Sequence, residues 1–326
     1  MRTSNSSFFH PSTFVLTGIP RVEAGHIWIS IPFCSLYLIS ILGNSTILLV
    51  IKAEQSLHDP MYFFLCMLAI TDVGVCLSTL PTVLRVMLFN SREIKFDACL
   101  AQMFFIHCFS IMDSGVLLVM AFDRFVAIYN PLRYASILTN PRVTLIGVVL
   151  TVRSIALLLP LPVLLRRLPF CRSNVLAHAF CLHPNLIQLP CADTTVNSVY
   201  GLFVLLATFG LDSLSIVLSY VMIIKTVLSI ASRKERLKVL NTCVSHICAV
   251  LIYYIPMIGL SLVYRFGKHA SPLVHVLMAN IYLLVPPMLN PIIYSIKTKQ
   301  IRIKHALKRT DILKSLPQCT HTIINS

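Results

Sequence analysis

Three groups of side chains in this sequence have types and spacings that could do chemistry. The first is Asp123-Arg124, an acid and an arginine side by side where a long apolar run, 100–122, meets water. A guanidinium there can hold its carboxylate neighbour in one state and release it to a partner in another. The plainer alternative is a border charge pair, with Arg124 reaching out to lipid headgroups. The second group is Asp72 and Asp113, acids in the middle of apolar runs, with the amides Asn44 and Asn290 at comparable depth. Two acids and two amides suit a small cation or water, and equally suit a polar core held by hydrogen bonds alone. The third is His107 together with Met257, Ser261 and Arg265. The last three step by four and share a helical face. Facing inward, Arg265 would grip a carboxylate with both arms, with His107 as a second donor; facing outward, it would only snorkel. Asp212 and Arg153 also interrupt apolar runs, facing each other or the interior of a bundle.

These groups need a scaffold, and the composition names its solvent. Of 326 residues, 56% are hydrophobic and 12% charged, against about 25% charged in soluble domains. Such a chain belongs in a bilayer. The net charge is +15, but the cations lie in loops between apolar runs. That distribution fits anionic lipid and cytosolic partners rather than nucleic acid. No nucleophile–base pairing stands out, no cysteine pair has zinc-ligand spacing, and no cofactor or metal is expected. The reading is therefore not an enzyme.

Seven apolar runs, at 27–51, 61–84, 100–122, 143–165, 196–224, 239–263 and 273–296, each approach the ~20 residues that span a bilayer. Backbone groups in hydrocarbon must pair internally, so each run is expected to be a helix, kinked rather than ended by Pro81, Pro160, Pro256, Pro286, Pro287 and Pro291. The expected fold is an all-α bundle of seven transmembrane helices at 27–296. An outer amino-terminal segment, 1–26, precedes it and a cytoplasmic tail, 297–326, follows. Most of the 27 Lys and Arg residues lie after odd-numbered spans or in the tail, which puts the amino terminus outside. Asn5-Ser6-Ser7 is then a glycosylation acceptor. After Ile296, Ile303, Ala306 and Leu307 share one face among basic residues, as in a short amphipathic helix on the inner leaflet; a solvated basic tail is the alternative. Cys99, Cys171, Cys181 and Cys191 all fall on the outer face, and four cysteines there allow three pairings.

Several motifs together resemble a known family. They are Gly43-Asn44, Leu57-His58-Asp59-Pro60-Met61-Tyr62, the run Met120 to Tyr134 around Asp123-Arg124, Ser219-Tyr220, Leu240 to His246, and Asn290-Pro291-Ile292-Ile293-Tyr294. With Phe14 to Pro20, they cover nearly the whole chain. It resembles an olfactory (odorant) receptor of the class I, fish-like branch of the rhodopsin-like G-protein-coupled receptors. The departures are Phe125, where the wider family has tyrosine, and Tyr129-Asn130 before Pro131.

The resemblance implies disulfides Cys99–Cys181 and Cys171–Cys191. It implies a switch made of Asp123, Arg124, Tyr220, Tyr254, Asn290, Pro291 and Tyr294, with Tyr254 as a toggle below the ligand pocket. Its implied partners are a small-molecule odorant, a heterotrimeric G protein of the stimulatory olfactory type that raises cAMP, and membrane lipid. The implied location is the plasma membrane of a sensory cell. His107, Met257, Ser261 and Arg265 point to a carboxylic acid as ligand. The rival reading, a transporter or channel, lacks an internal repeat relating two halves, and the chain has only 10 Gly with which to interrupt paired helices.

Overall fold

The computed structural model describes residues 11–18, 26–170, 174–267 and 271–315. Seven long helices, numbered here in chain order, make up the body. They are α1 (His26–Ala53), α2 (Pro60–Met87), α3 (Phe96–Tyr129), α4 (Asn140–Arg166), α5 (Thr195–Leu228), α6 (Arg233–Phe266) and α7 (Pro272–Ser315). All seven are long and apolar enough to cross a membrane. Local chemistry marks several starts. Proline opens α2 and lies in the first turn of α4, where its missing N–H costs nothing. Ser232 caps α6 by accepting from the Glu235 N–H.

Two helices are irregular. Between Asn140–Leu158 and Pro160–Arg166, Leu159 keeps helical dihedrals and its N–H bonds the Ile155 carbonyl at 2.9 Å, so α4 runs on through an irregular turn at Pro160. Pro81, Pro256, Pro286, Pro287 and Pro291 do lie inside continuous helices. In α5, residues Leu206–Gly210 form one π-helical turn just before Asp212. The amphipathic segment expected after Ile296 is helical but continuous with α7; side chains beyond Tyr294 lie outside the described residues.

α3 is the axial helix, packed against α2, α4, α5 and α6. α1 docks on α7 through a specific exchange. Pro291 has no N–H to offer the Pro287 carbonyl, and Asn44 supplies one instead, its Nδ2 donating at 2.8 Å. A Cβ on Gly43 would lie 2.8 Å from Pro291, so only glycine lets the helices approach this closely.

One end of the bundle carries a small three-stranded sheet that the all-helical expectation lacks. β1 (Thr13–Leu16) lies between β2 (Glu93–Lys95), antiparallel, and β3 (Val175–Leu176), parallel. Beneath it, Phe14 is fully buried against the rings of Phe96 and Phe170. The disulfide Cys99–Cys181 ties the same loop to α3. Gln102 locks that junction: its Oε1 accepts from the Cys181 N–H at 2.9 Å, and its Nε2 donates to Ser78 O and Thr82 Oγ1 on α2. Cys171, half of the second pairing implied by the resemblance, lies outside the described residues, as does Asn5.

A cross-link closing a loop of this length restricts the unfolded chain by about 2–4 kcal/mol. Cys99→Ser and Cys181→Ser should each lower the protein's surface level, and peptide mapping of the wild type should recover the Cys99–Cys181 pair. A free Cys99 thiol in folded protein would contradict the structure.

Candidate functional site

Polar side chains gather at three levels along the bundle. At the disulfide end, His183 starts a short helix, His183–Leu186, and packs on α5, where a Cβ on Gly201 would lie 2.8 Å from its ring. Its N–H donates to His107 Nε2 on α3 at 3.4 Å. Asn197, one turn before Gly201, shares that face of α5 and is buried. Asn197 Nδ2 and His183 Nε2 are buried without hydrogen-bond partners. From α6, Met257 is buried, and Ser261 Oγ donates to its sulfur at 3.8 Å.

Of the two places open to Arg265, the structure gives the outward one: the side chain is exposed. At about 100° per residue, position 265 has turned about 80° away from 257, whereas 264 is only about 20° off. Tyr264 therefore takes the inward place, its hydroxyl 2.8 Å from His178 Nε2 in the loop between α4 and α5. Asp193 accepts from Thr195 at the start of α5, so it is not held by Arg265. His107, Met257 and Ser261 lie along the interior; Arg265 stands at the rim, with no ion pair among the described residues.

The middle level contains two networks. In one, Asn290 Nδ2 donates to Asp72 Oδ2 at 2.9 Å, and the Thr71 hydroxyl donates to Asp113. Asp72, Asp113 and Asn290 thus come together; Asn44 does not join their hydrogen bonds, being spent on Pro287 and Ser40. Two buried carboxylates with no basic partner in these bonds require a proton or small cation to offset their charge. Among the described residues, no three His, Cys, Asp or Glu side chains converge as metal ligands. In the other network, Arg153 of α4 grips Asp212 of α5 with two bonds, 2.9 and 2.6 Å. Asp212 also accepts from Ser114 of α3 at 2.9 Å, and Ser114 lies 2.7 Å from the Tyr254 hydroxyl of α6. Breaking a buried pair by removing one partner typically costs about 3–5 kcal/mol.

At the opposite end, Arg124 bonds Asp123 Oδ2 through Nη2 at 2.5 Å and Nε at 3.0 Å. The Tyr134 hydroxyl donates to the other carboxylate oxygen at 2.6 Å. Burial, and next the Asp123 carboxylate, push that phenol's pKa up. A cleft beside the pair is lined by Met61, Met120, Asp123, Arg124, Thr242, His246 and Tyr294. His246 bridges helices: its Nε2 is 3.0 Å from the Leu117 carbonyl and its Nδ1 2.6 Å from the Tyr220 hydroxyl. The carbonyl only accepts, so the ring proton sits on Nε2 and Nδ1 accepts from Tyr220. Of the expected switch residues, Asp123, Arg124 and Tyr294 meet here, Tyr220 joins through His246, and Tyr254, Asn290 and Pro291 belong to the levels above. The sequence reading did not single out the roles of Tyr134, His246, His183 and Asn197. Their signal was weak, since polar residues in loops or near helix ends are ordinary.

Burial, and next the proximity of His275, push the His178 imidazole down from 6.5 to about 4; burial, and next His107, push His183 down to about 3. Between 6.5 and these values the unfolded chain binds protons that the folded chain refuses. Their burial is therefore tolerated above about pH 6.5 and increasingly opposes folding as the pH falls through that window. The melting temperature of solubilised protein should be flat above pH 7 and fall from about 6.5 towards 4. His178→Gln should flatten part of that slope; a slope indifferent to it would contradict the assignment.

A family model described as olfactory receptor matches residues 33–310. Human olfactory receptor 51G2 is 60% identical over 304 residues, covering 93% of this chain and 97% of its own. Human olfactory receptor 51I2 is 58% identical over 293 residues, covering 90% and 94%, and human olfactory receptor 51A4 is 56% identical over 308, covering 94% and 98%. With seven membrane-length helices organised around Asp123-Arg124, the chain belongs to the olfactory receptor family: it is a multi-pass plasma-membrane receptor, not an enzyme, that detects odorants through G-protein signalling.

Proposed function

We propose that this receptor responds to small acceptor-bearing odorants, carboxylic acids foremost, and raises cAMP through a stimulatory olfactory-type G protein. The amino terminus, the sheet and the disulfide face outward; the Arg124 cleft and the tail face the cytosol, in keeping with the Lys and Arg distribution. The observation that carries the ligand class is the buried Asn197 Nδ2, an N–H donor without an acceptor. An unanswered buried donor costs about 1–3 kcal/mol, which an incoming carboxylate or carbonyl oxygen recovers. His183, which packs on the same face of α5 and bonds His107, adds polar groups on that side; on this reading Ser261, Met257 and Leu260 of α6 would supply a hydroxyl and apolar wall, and Arg265 at the rim would attract the anion. Chain length would be read by that wall at about 0.8 kcal/mol per buried methylene until space runs out.

Dose–response curves for short-chain acids and their methyl esters should show the acids preferred in wild type. Hydrogen bonds to a charged group are worth about 1.5–3 kcal/mol, so Asn197→Ala should shrink the acid's advantage by roughly 10- to 100-fold; Arg265→Ala, which removes only a solvent-screened attraction at the rim, should shrink it by no more than about 5-fold. Esters matching acids in wild type, or an acid preference untouched in both variants, would sink the ligand assignment.

The switch reading rests on the Asp123–Arg124–Tyr134 contact, which holds the guanidinium inside its own end of the bundle. Arg124→Ala should abolish the cAMP response while surface level and acid binding persist, because the outer level is a full span away. Normal cAMP output from a well-expressed Arg124→Ala receptor would defeat it.

A further inference from the structure

We propose that Arg142, in the first turn of α4, is a positioning residue for G-protein docking: it caps the short helix between α3 and α4 and so fixes where that loop presents Leu132. The inference rests on the reading that the Arg124 end of the bundle receives the G protein. The loop runs from a tight turn, Pro131–Arg133, into one helical turn, Tyr134–Ile137. A single turn is unstable by itself, and its last carbonyls find no partner within it. The Leu138 N–H answers the Tyr134 carbonyl at 3.0 Å. The Ser136 and Ile137 carbonyls lie beyond that bond and are answered from α4. Arg142 Nη1 carries two N–H groups, and it donates to both carbonyls at 2.9 Å.

The loop is thus tied to two helices. Tyr134 bonds Asp123 of α3 at 2.6 Å, and Arg142 ties the following residues to α4. Leu138 and Val143, both buried, seat the stretch between the short helix and α4. The first tie ends on the carboxylate that Arg124 grips, so parting of that pair disturbs it. The second tie involves neither Asp123 nor Arg124 and keeps its two bonds through such a change. What the ties hold out is apolar: Leu132 is 98% exposed, and its near neighbours Tyr129 and Pro131 are exposed too. A leucine held clear of its own protein gains most when a partner covers it. Capping fixes the geometry of that tip before the partner arrives, which lowers the ordering cost of docking.

The test uses full-length receptor in nanodiscs without odorant, as wild type, Arg142→Gln, Leu132→Ala and the double variant. Deuterium uptake in residues 131–139 is followed by mass spectrometry, and binding of a stimulatory heterotrimer is titrated in the absence of nucleotide. Arg142→Gln should speed uptake in that segment severalfold and leave α3 and the body of α4 unchanged. It should raise the half-saturating G-protein concentration by about two- to tenfold, with the maximal level unaltered. Leu132→Ala should weaken binding without changing uptake, and the double variant should bind no more weakly than Leu132→Ala alone. Unchanged uptake in Arg142→Gln overturns the cap, whatever the G protein does. Faster uptake with unchanged binding, or a double variant weakened by the product of the singles, overturns the positioning role. If wild type binds no stimulatory heterotrimer while uptake still responds to Arg142→Gln, the cap stands and the coupling reading is what fails.

Discussion

The contact between Asn44 and the Pro287 carbonyl shows the constraint under which the whole bundle is built. A proline inside a helix removes one N–H, and in hydrocarbon no water replaces it. The freed carbonyl must be answered by another helix, which must come close enough to answer. Gly43 provides the approach and Asn44 the donor, so two adjacent residues of α1 serve one missing hydrogen on α7. The same demand explains why so many polar side chains in this bundle are spent on backbone carbonyls, Ser154 on Leu150 and Thr208 on Val204 among them.

That demand also ranks the polar levels. Arg153 and Asp212 meet in two bonds, Ser114 takes a third site on the carboxylate, and Arg153 Nε stays unanswered, so this level is directional but not fully satisfied. The Asp72 and Asp113 level is acid-rich and open to a proton or cation. The outer level is the least satisfied, with unanswered groups on His183 and Asn197. Groups buried with their bonding capacity unused are where an incoming molecule gains most.

The seven spans were legible because a bilayer imposes one length on every crossing, and an apolar run of that length has few other uses. The Asp123–Arg124 pair was legible by its place at the end of a span. The sheet was not: strands of two to four residues carry too little alternation to register. Arg153 and Asp212 were visible as anomalies but not as partners, because which way each side chain faces depends on helix rotation, and α5 changes register at its π turn. The facing of Arg265 stayed open in the sequence because a step of four only approximates the helical repeat. Over two steps the error moves a side chain from wall to rim, and the neighbouring Tyr264 takes the place instead.

The first strand has a consequence for how the receptor is made. β1 is synthesised early, yet the backbone it pairs with at β3 lies far downstream: Thr17 bonds Leu176, 159 residues away. At about 5–20 residues per second, the strand emerges roughly ten to thirty seconds before its partner. Until β2 and Phe96 follow, roughly halfway through that interval, Phe14 and Leu16, fully buried in the finished protein, have nothing to cover them, and until Phe170 and β3 emerge their cover is one-sided. The outer lid is thus the last part of the first half to close, and four helices must be in place before it does. A nascent chain stalled at this stage presents an apolar, unpaired strand near its amino terminus, the kind of surface that folding assistants and quality control recognise.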